Sequence, residues 1–138
     1  MSGAGRLVVH VDGGARGNPG PAAIAAVVST PDGEIVEEHG ERIGEATNNV
    51  AEYRAVLLGL ERARARGATE VELVGDSELV VRQVRGEYKV KDEGLRALHA
   101  RVVKALAEFD SWSIRHVRRE ENEEADRLVN VALDAATS

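Results

Sequence analysis

At 138 residues, 43% of them hydrophobic and 30% charged, the chain fits one domain with a single core at about residues 6–135. The absence of cysteine excludes disulfides, thiolate chemistry and the common structural zinc sites. A net charge of −6 argues against a nucleic-acid partner only if it is evenly spread, and it is not. Residues 82–104 hold seven Lys/Arg against three Asp/Glu, Arg115, Arg118 and Arg119 form a second basic group, and acidic residues gather at 32–45 and 120–126. No run of about 18 apolar residues occurs. Residues 1–6 also lack the apolar stretch of a secretory signal, so a cytoplasmic location away from membranes is expected.

Residues 7–12 form a nearly continuous apolar run, as in a strand covered on both faces. A glycine-rich turn follows at 13–21. Residues 22–30 read as a second strand, and Pro31-Asp32-Gly33 turns the chain into a third at 34–43, opening it with an antiparallel meander. Thr47 or Asn48 can cap a helix running to about Arg66, with Tyr53, Leu57 and Leu60 on one stripe and Gly67 as its stop. A short strand at 71–75 and a short helix at 77–84 come next. The linker 87–93 leads to a helix with Leu95, Leu98, Val102 and Leu106 on one face. Residues 111–117 alternate as a strand, and the final helix, 122–135, turns Ala125, Leu128, Val129 and Ala132 inward. The order predicts an α/β domain with a mixed five-stranded sheet and helices on both faces. A right-handed crossover lays the 71–75 strand parallel to the first.

That topology gives four carboxylates a meeting point. Asp12 and Asp76 close two neighbouring parallel strands, where such sheets usually place their sites. Glu52 lies one turn into the first long helix and Asp126 early in the last. Like charges so close need a cation or a proton. Hard oxygen ligands suit Mg²⁺ or Mn²⁺, and a carboxylate shared by two ions about 4 Å apart is the arrangement for phosphodiester cleavage. Taken singly, each residue has another reading. Asp76-Ser77 also looks like a turn with a helix cap, Glu52 like a surface helix residue, and Asp126 like one more charge in an acidic stretch.

The motifs Val11-Asp12-Gly13-Gly14-Ala15-Arg16-Gly17-Asn18-Pro19-Gly20-Pro21, Thr47-Asn48-Asn49-Val50-Ala51-Glu52, Gly75-Asp76-Ser77 and Asn122-Glu123-Glu124-Ala125-Asp126-Arg127-Leu128 occur in this order. With them the chain resembles type 1 ribonuclease H, in its compact bacterial and archaeal branch, over residues 7–133. The resemblance implies a ribonuclease H-like fold and hydrolysis of the RNA strand of RNA–DNA hybrids, giving 5′-phosphate and 3′-hydroxyl ends. It makes Asp12, Glu52, Asp76 and Asp126 the catalytic ligands of two Mg²⁺ or Mn²⁺ ions in the substrate complex, with Asp12 shared between them. It also implies that Gly13, Gly14, Ala15 and Arg16 bring backbone groups to the ribose 2′-hydroxyls. Asn18 and Asn49 would contact the groove, helped by Asn48 and by Ser77, which serves equally well as a helix cap.

The sequence departs from the family pattern in two places. His116 sits where many members carry a mobile catalytic histidine, yet it also reads as part of the last strand; in that register it is structural and Arg118 or Arg119 meets the phosphate. Larger members grip the duplex with a basic protrusion, for which residues 86–94 are too few. Tyr88, Lys89 and Lys91 are either a reduced grip on the DNA backbone or a solvated linker. His10 is expected to pack against the sheet, and His39 and His99 to lack special partners. A related nuclease that also cuts double-stranded RNA and a hybrid-binding module without activity remain as alternatives. A monomer is expected, because no exposed apolar stripe stands out.

Overall fold

The computed structural model describes residues 5–135. Residues 1–4, most of the segment read for a leader, and 136–138 of the tail lie outside the described residues. The elements are β1 (Gly5–Ala15), β2 (Gly20–Ser29), β3 (Ile35–Ala46), α1 (Asn48–Ala65), β4 (Ala68–Gly75), α2 (Glu78–Val84), α3 (Glu93–Leu106), β5 (Ser111–His116) and α4 (Glu123–Ala135). A 3-10 turn at Arg119–Glu121 precedes α4. The strands form one sheet in the order β3-β2-β1-β4-β5, antiparallel through the first three and parallel across β1, β4 and β5.

Side-chain alternation decides which helix each strand meets. Leu7, Val9 and Val11 of β1 join Ile24, Ala26 and Val28 of β2 beneath α1. Ala23, Ala25 and Val27 of β2 face the other way, onto Ala125, Val129 and Leu133 of α4. Strand β2 is therefore apolar on both sides, and α4 is the helix that covers the second face. Leu128 and Ala132, expected inside, flank that contact half-buried, and Leu133 completes it.

Thr47 is the cap of α1, its hydroxyl accepting from the Val50 amide at 3.2 Å. The buried face of α1 is wider than the expected stripe. Tyr53 and Leu60 are inside and Leu57 only partly so, while Ala51, Ala55, Gly59 and Ala63 add a ridge of small residues at fourfold spacing. That ridge lets the helix axis lie close to the sheet.

The first strand does not end at Asp12 as expected. Gly13, Gly14 and Ala15 go on pairing with Ile24, Ala23 and Ala22 of β2. Against β4 the pairing stops at Val11 and Gly75. Asp12 is therefore in mid-strand on one side and at the open end of a parallel pair on the other.

A Cβ at Gly59 would stand 2.8 Å from Val11 Cγ1 and 2.9 Å from Val9 Cγ1. In an exposed helix, replacing Gly by Ala gains about 1 kcal/mol. Overpacking at a filled core site costs about 1–3 kcal/mol, so Gly59→Ala is expected to lower the unfolding midpoint in denaturant. A raised midpoint would show that α1 does not depend on this close approach.

Candidate active site

The Asp12, Glu52 and Asp76 carboxylates each offer an oxygen, and these atoms all lie within 4.8 Å of one another. Each arrives by a different route. Asp12 sits where β1 parts from β4, and Asp76 follows the last residue of β4. Glu52 comes down from the second turn of α1, because a Cβ at Gly13 would overlap the Ala51 carbonyl and only glycine lets the helix so close. The Gly13 amide then donates to Glu52 Oε1 at 3.0 Å. Asp126, on the first turn of α4, stands outside this close triad but lines the same cavity. That cavity, about 480 Å³, is bounded by Asp12, Glu52, Asp126, Asn48, Arg119 and Asn130. A groove of about 540 Å³ between α1 and α3 is larger but contains none of the four carboxylates.

Burial and mutual repulsion load the cluster. The Asp12 carboxyl is pushed up to about 8, first by burial and then by Asp76 and Asp126. Glu52 is raised well above the usual carboxylate range by burial, then by Asp12 and Asp76, and only partly relieved by the Gly13 amide and Arg119. Burial also raises Asp76, against the pull of Arg119, whose Nε is 3.9 Å from Asp76 Oδ2. One buried and two half-buried carboxylates, all raised by burial and by neighbouring carboxylates, fit a hard divalent ion such as Mg²⁺ or Mn²⁺. No sulfur or imidazole joins the set, which leaves softer metals without their preferred ligands.

Comparison with known proteins bears on this geometry. A family described as reverse transcriptase-like matches residues 10–132. Ribonuclease HI of Halobacterium salinarum is 49% identical over 132 residues, covering 96% of this chain and 66% of its own length. The ribonuclease H of Rhodopseudomonas palustris is 31% identical, with 92% of this chain and 91% of the relative aligned. The chain belongs to the ribonuclease H family. The crystal structure of RNase H1 from Halobacterium salinarum superposes with a TM-score of 0.93, covering 95% of this chain and 99% of that one. LC11-RNase H1, solved in complex with an RNA/DNA hybrid, gives 0.91 at 43% identity, covering 96% and 99%. The chain spans 66% of the length of the Halobacterium relative and 36% of a bifunctional mycobacterial one.

Other residues expected at a ribonuclease H site divide into two groups. Asn18 and Asn48 lace the glycine turn to α1: Asn18 Oδ1 accepts from the Asn48 amide at 2.9 Å, and Asn48 Oδ1 accepts from the Ala15 amide at 2.8 Å. With Gly13 bound to Glu52 and the Arg16 amide to the Pro21 carbonyl, three of the backbone donors expected to face substrate are spent inside the protein. Asn18 in the turn and Asn48 at the start of α1 are exposed, and Asn49, the next residue of α1, is half-buried. Arg16 is tied to Asn130 and Asp134 of α4, and Gly14 lines the cavity. Ser77 caps α2, accepting from the Val80 amide at 3.4 Å.

The second group lies further out. His116 ends β5, exposed and paired with Gly75, so its strand reading holds. Arg118 is on the surface near Glu121, whereas Arg119 reaches the cavity. Tyr88, Lys89 and Lys91 are exposed on the linker, with the Arg82 guanidinium 5.4 Å from the Tyr88 ring centroid. His10 is half-buried as expected. His39 and His99 do have partners: His39 pairs with Glu41, and His99 meets the Gln83 carbonyl and the edge of Tyr53.

Sequence reasoning missed Gln83 and Asn122. Gln83 is buried, accepts from the Tyr53 hydroxyl at 2.6 Å and donates to the Lys89 carbonyl at 3.3 Å, tying the helix of Glu52 to the linker. Asn122 stood only as part of the fourth motif, and the bonds of Gln83 to Tyr53 and of Asn122 to Val11 span 30 and 111 positions, which spacing does not reveal.

Carboxylates raised in the folded state add stability that is fully present below their unfolded values, 3.8 for Asp12, and lost as pH climbs through the folded one, about 8. In chelator the melting temperature should therefore fall between about pH 5 and pH 8 more steeply for the unaltered chain than for Asp12→Asn. Equal slopes would contradict the repulsion described here.

Proposed function

We propose that this chain cuts the RNA strand of RNA–DNA hybrids internally, leaving 5′-phosphate and 3′-hydroxyl ends, with Mg²⁺ or Mn²⁺ as its cofactor. The observation that carries this reading is the approach of Asp12, Glu52 and Asp76 within 4.8 Å on three separate elements. Identity of 43% to an RNase H1 solved on an RNA/DNA hybrid supports the choice of substrate. A divalent pair held with substrate supplies an activated water and neutralises the leaving 3′-oxygen.

The chain's own groups do the rest. Asp12, central among the carboxylates, would be shared in holding the ions, with Glu52 and Asp76 on one side and Asp126 on the other. Arg119, its side chain 80% exposed yet 3.9 Å from Asp76, is placed to meet a phosphate of the cleaved strand. Asn18, Asn48 and Asn49 present amide donors to the ribose 2′-hydroxyls, the chemical mark of RNA. We assign His116 a strand role and no proton transfer. Lys89 and Lys91, exposed and without an ion pair among the described residues, meet the DNA backbone. The protein acts as a monomer in the cytoplasm, without a membrane.

A hybrid labelled separately in each strand, assayed beside RNA and DNA duplexes with each metal, tests the reading. Metal-dependent cleavage of the RNA strand alone is expected, abolished in a folded Asp12→Asn variant. Near-normal cleavage by that variant would remove the mechanism, and equal cutting of double-stranded RNA would widen the substrate class. Lys89→Ala and Lys91→Ala should raise KM rather than lower kcat, each reducing the salt dependence of binding by about one counterion. An unchanged salt slope would make the segment a plain linker.

A further inference from the structure

Asn122 is 1% exposed, yet only half of its amide is satisfied. Nδ2 donates to the Val11 carbonyl at 2.8 Å across 111 positions of sequence, while Oδ1 is buried with no partner among the described residues. A buried acceptor left unpaired is costly, and an apolar side chain of similar volume would fill the same space without it. The residue therefore has to be understood through the bond it does make.

That bond lies at the centre of the site's framework. Val11 is the last residue of β1 paired with β4 and immediately precedes Asp12. Asn122 closes the Arg119–Glu121 turn, its N–H donating to the Arg119 carbonyl at 2.9 Å. It also opens α4, its carbonyl accepting from the Asp126 amide at 3.1 Å. One side chain thus joins the strand carrying Asp12 to the segment carrying both Arg119 and Asp126. The apolar contacts of α4, through Ala125, Val129 and Leu133, hold the helix against β2, and Arg16 reaches Asn130 and Asp134 from the exposed surface. Asn122 adds a buried hydrogen bond of defined length and direction that ties the start of α4 to the strand of Asp12.

We propose that Asn122 is a positioning residue, whose bond to Val11 sets where Asp126 and Arg119 stand relative to Asp12 and Asp76. Its consequence for cleavage rests on the function proposed above; its structural consequence does not.

The test uses Asn122→Leu, which keeps volume and removes the donor, with Asn122→Ala beside it. Three quantities are read: thermal unfolding, amide resonances of the metal-free protein, and cleavage of a hybrid against Mg²⁺ or Mn²⁺ concentration. The expected result is a folded Asn122→Leu protein in which the Arg119 and Asp126 resonances move while those of α1 and β4 away from the contact stay. The metal concentration for half-maximal cleavage should rise about tenfold or more, with KM for the hybrid little changed. Unmoved resonances and normal metal dependence in a folded variant would overturn the assignment. So would activity lost only in proportion to lost fold in both variants. If the unaltered protein cleaves no hybrid, the functional reading fails, while the resonances, which need neither metal nor substrate, still decide the role of Asn122.

Discussion

Repulsion among buried carboxylates is the constraint around which this fold is arranged. Parallel pairing of β1 with β4 brings Asp12 and Asp76 to the same open end, and a glycine at position 13 admits the helix that adds Glu52. Within the fold the Gly13 amide, donating to Glu52, compensates the three groups only in part. Burial and repulsion raise all three, Asp12 to about 8, so a proton on Asp12 or a cation in the cluster relieves the charge. Arg119 offsets part of the charge, but from a largely exposed position where its effect is screened.

Holding such a site together requires rigidity from elsewhere, and much of it comes from backbone approach rather than from long side chains. The small-residue ridge of α1 lies on β1 with van der Waals gaps too narrow for one more methyl at Gly59. Asn18 and Asn48 tie the glycine turn to the start of the same helix. The cluster is thus braced on the α1 side by packing and by paired amides. On the α4 side an apolar contact with β2 and exposed ties from Arg16 are joined by one buried bond, from Asn122 to Val11.

Much of this was legible in the sequence, for a definable reason. The order of the elements, the opening meander and the parallel pairing of the first and fourth strands follow from local periodicity and handedness, whereas Asp12, Glu52 and Asp76 stood out as a set through the resemblance to ribonuclease H. The end of β1 was misplaced because Gly13-Gly14 has the composition of a turn, whereas its backbone is held extended by β2, a tertiary preference that overrides the local one. The donors assigned to Gly13, Ala15 and Arg16 proved to be spent internally, since a hydrogen-bond partner such as Asn48 or Glu52 depends on folded geometry that spacing does not encode. Gln83, His99 and Asn122 were opaque on the same ground: each has a partner far off in sequence, Tyr53 for Gln83 and His99 and Val11 for Asn122.

The central claim is that protons and divalent cations compete for one buried cluster. Calorimetric titration with Mg²⁺ or Mn²⁺ near neutral pH, repeated in buffers of different ionisation enthalpy, measures that competition directly. Because Asp12 holds its proton to about pH 8, binding of the first ion should release about one proton or more. Binding with no proton release would contradict the account.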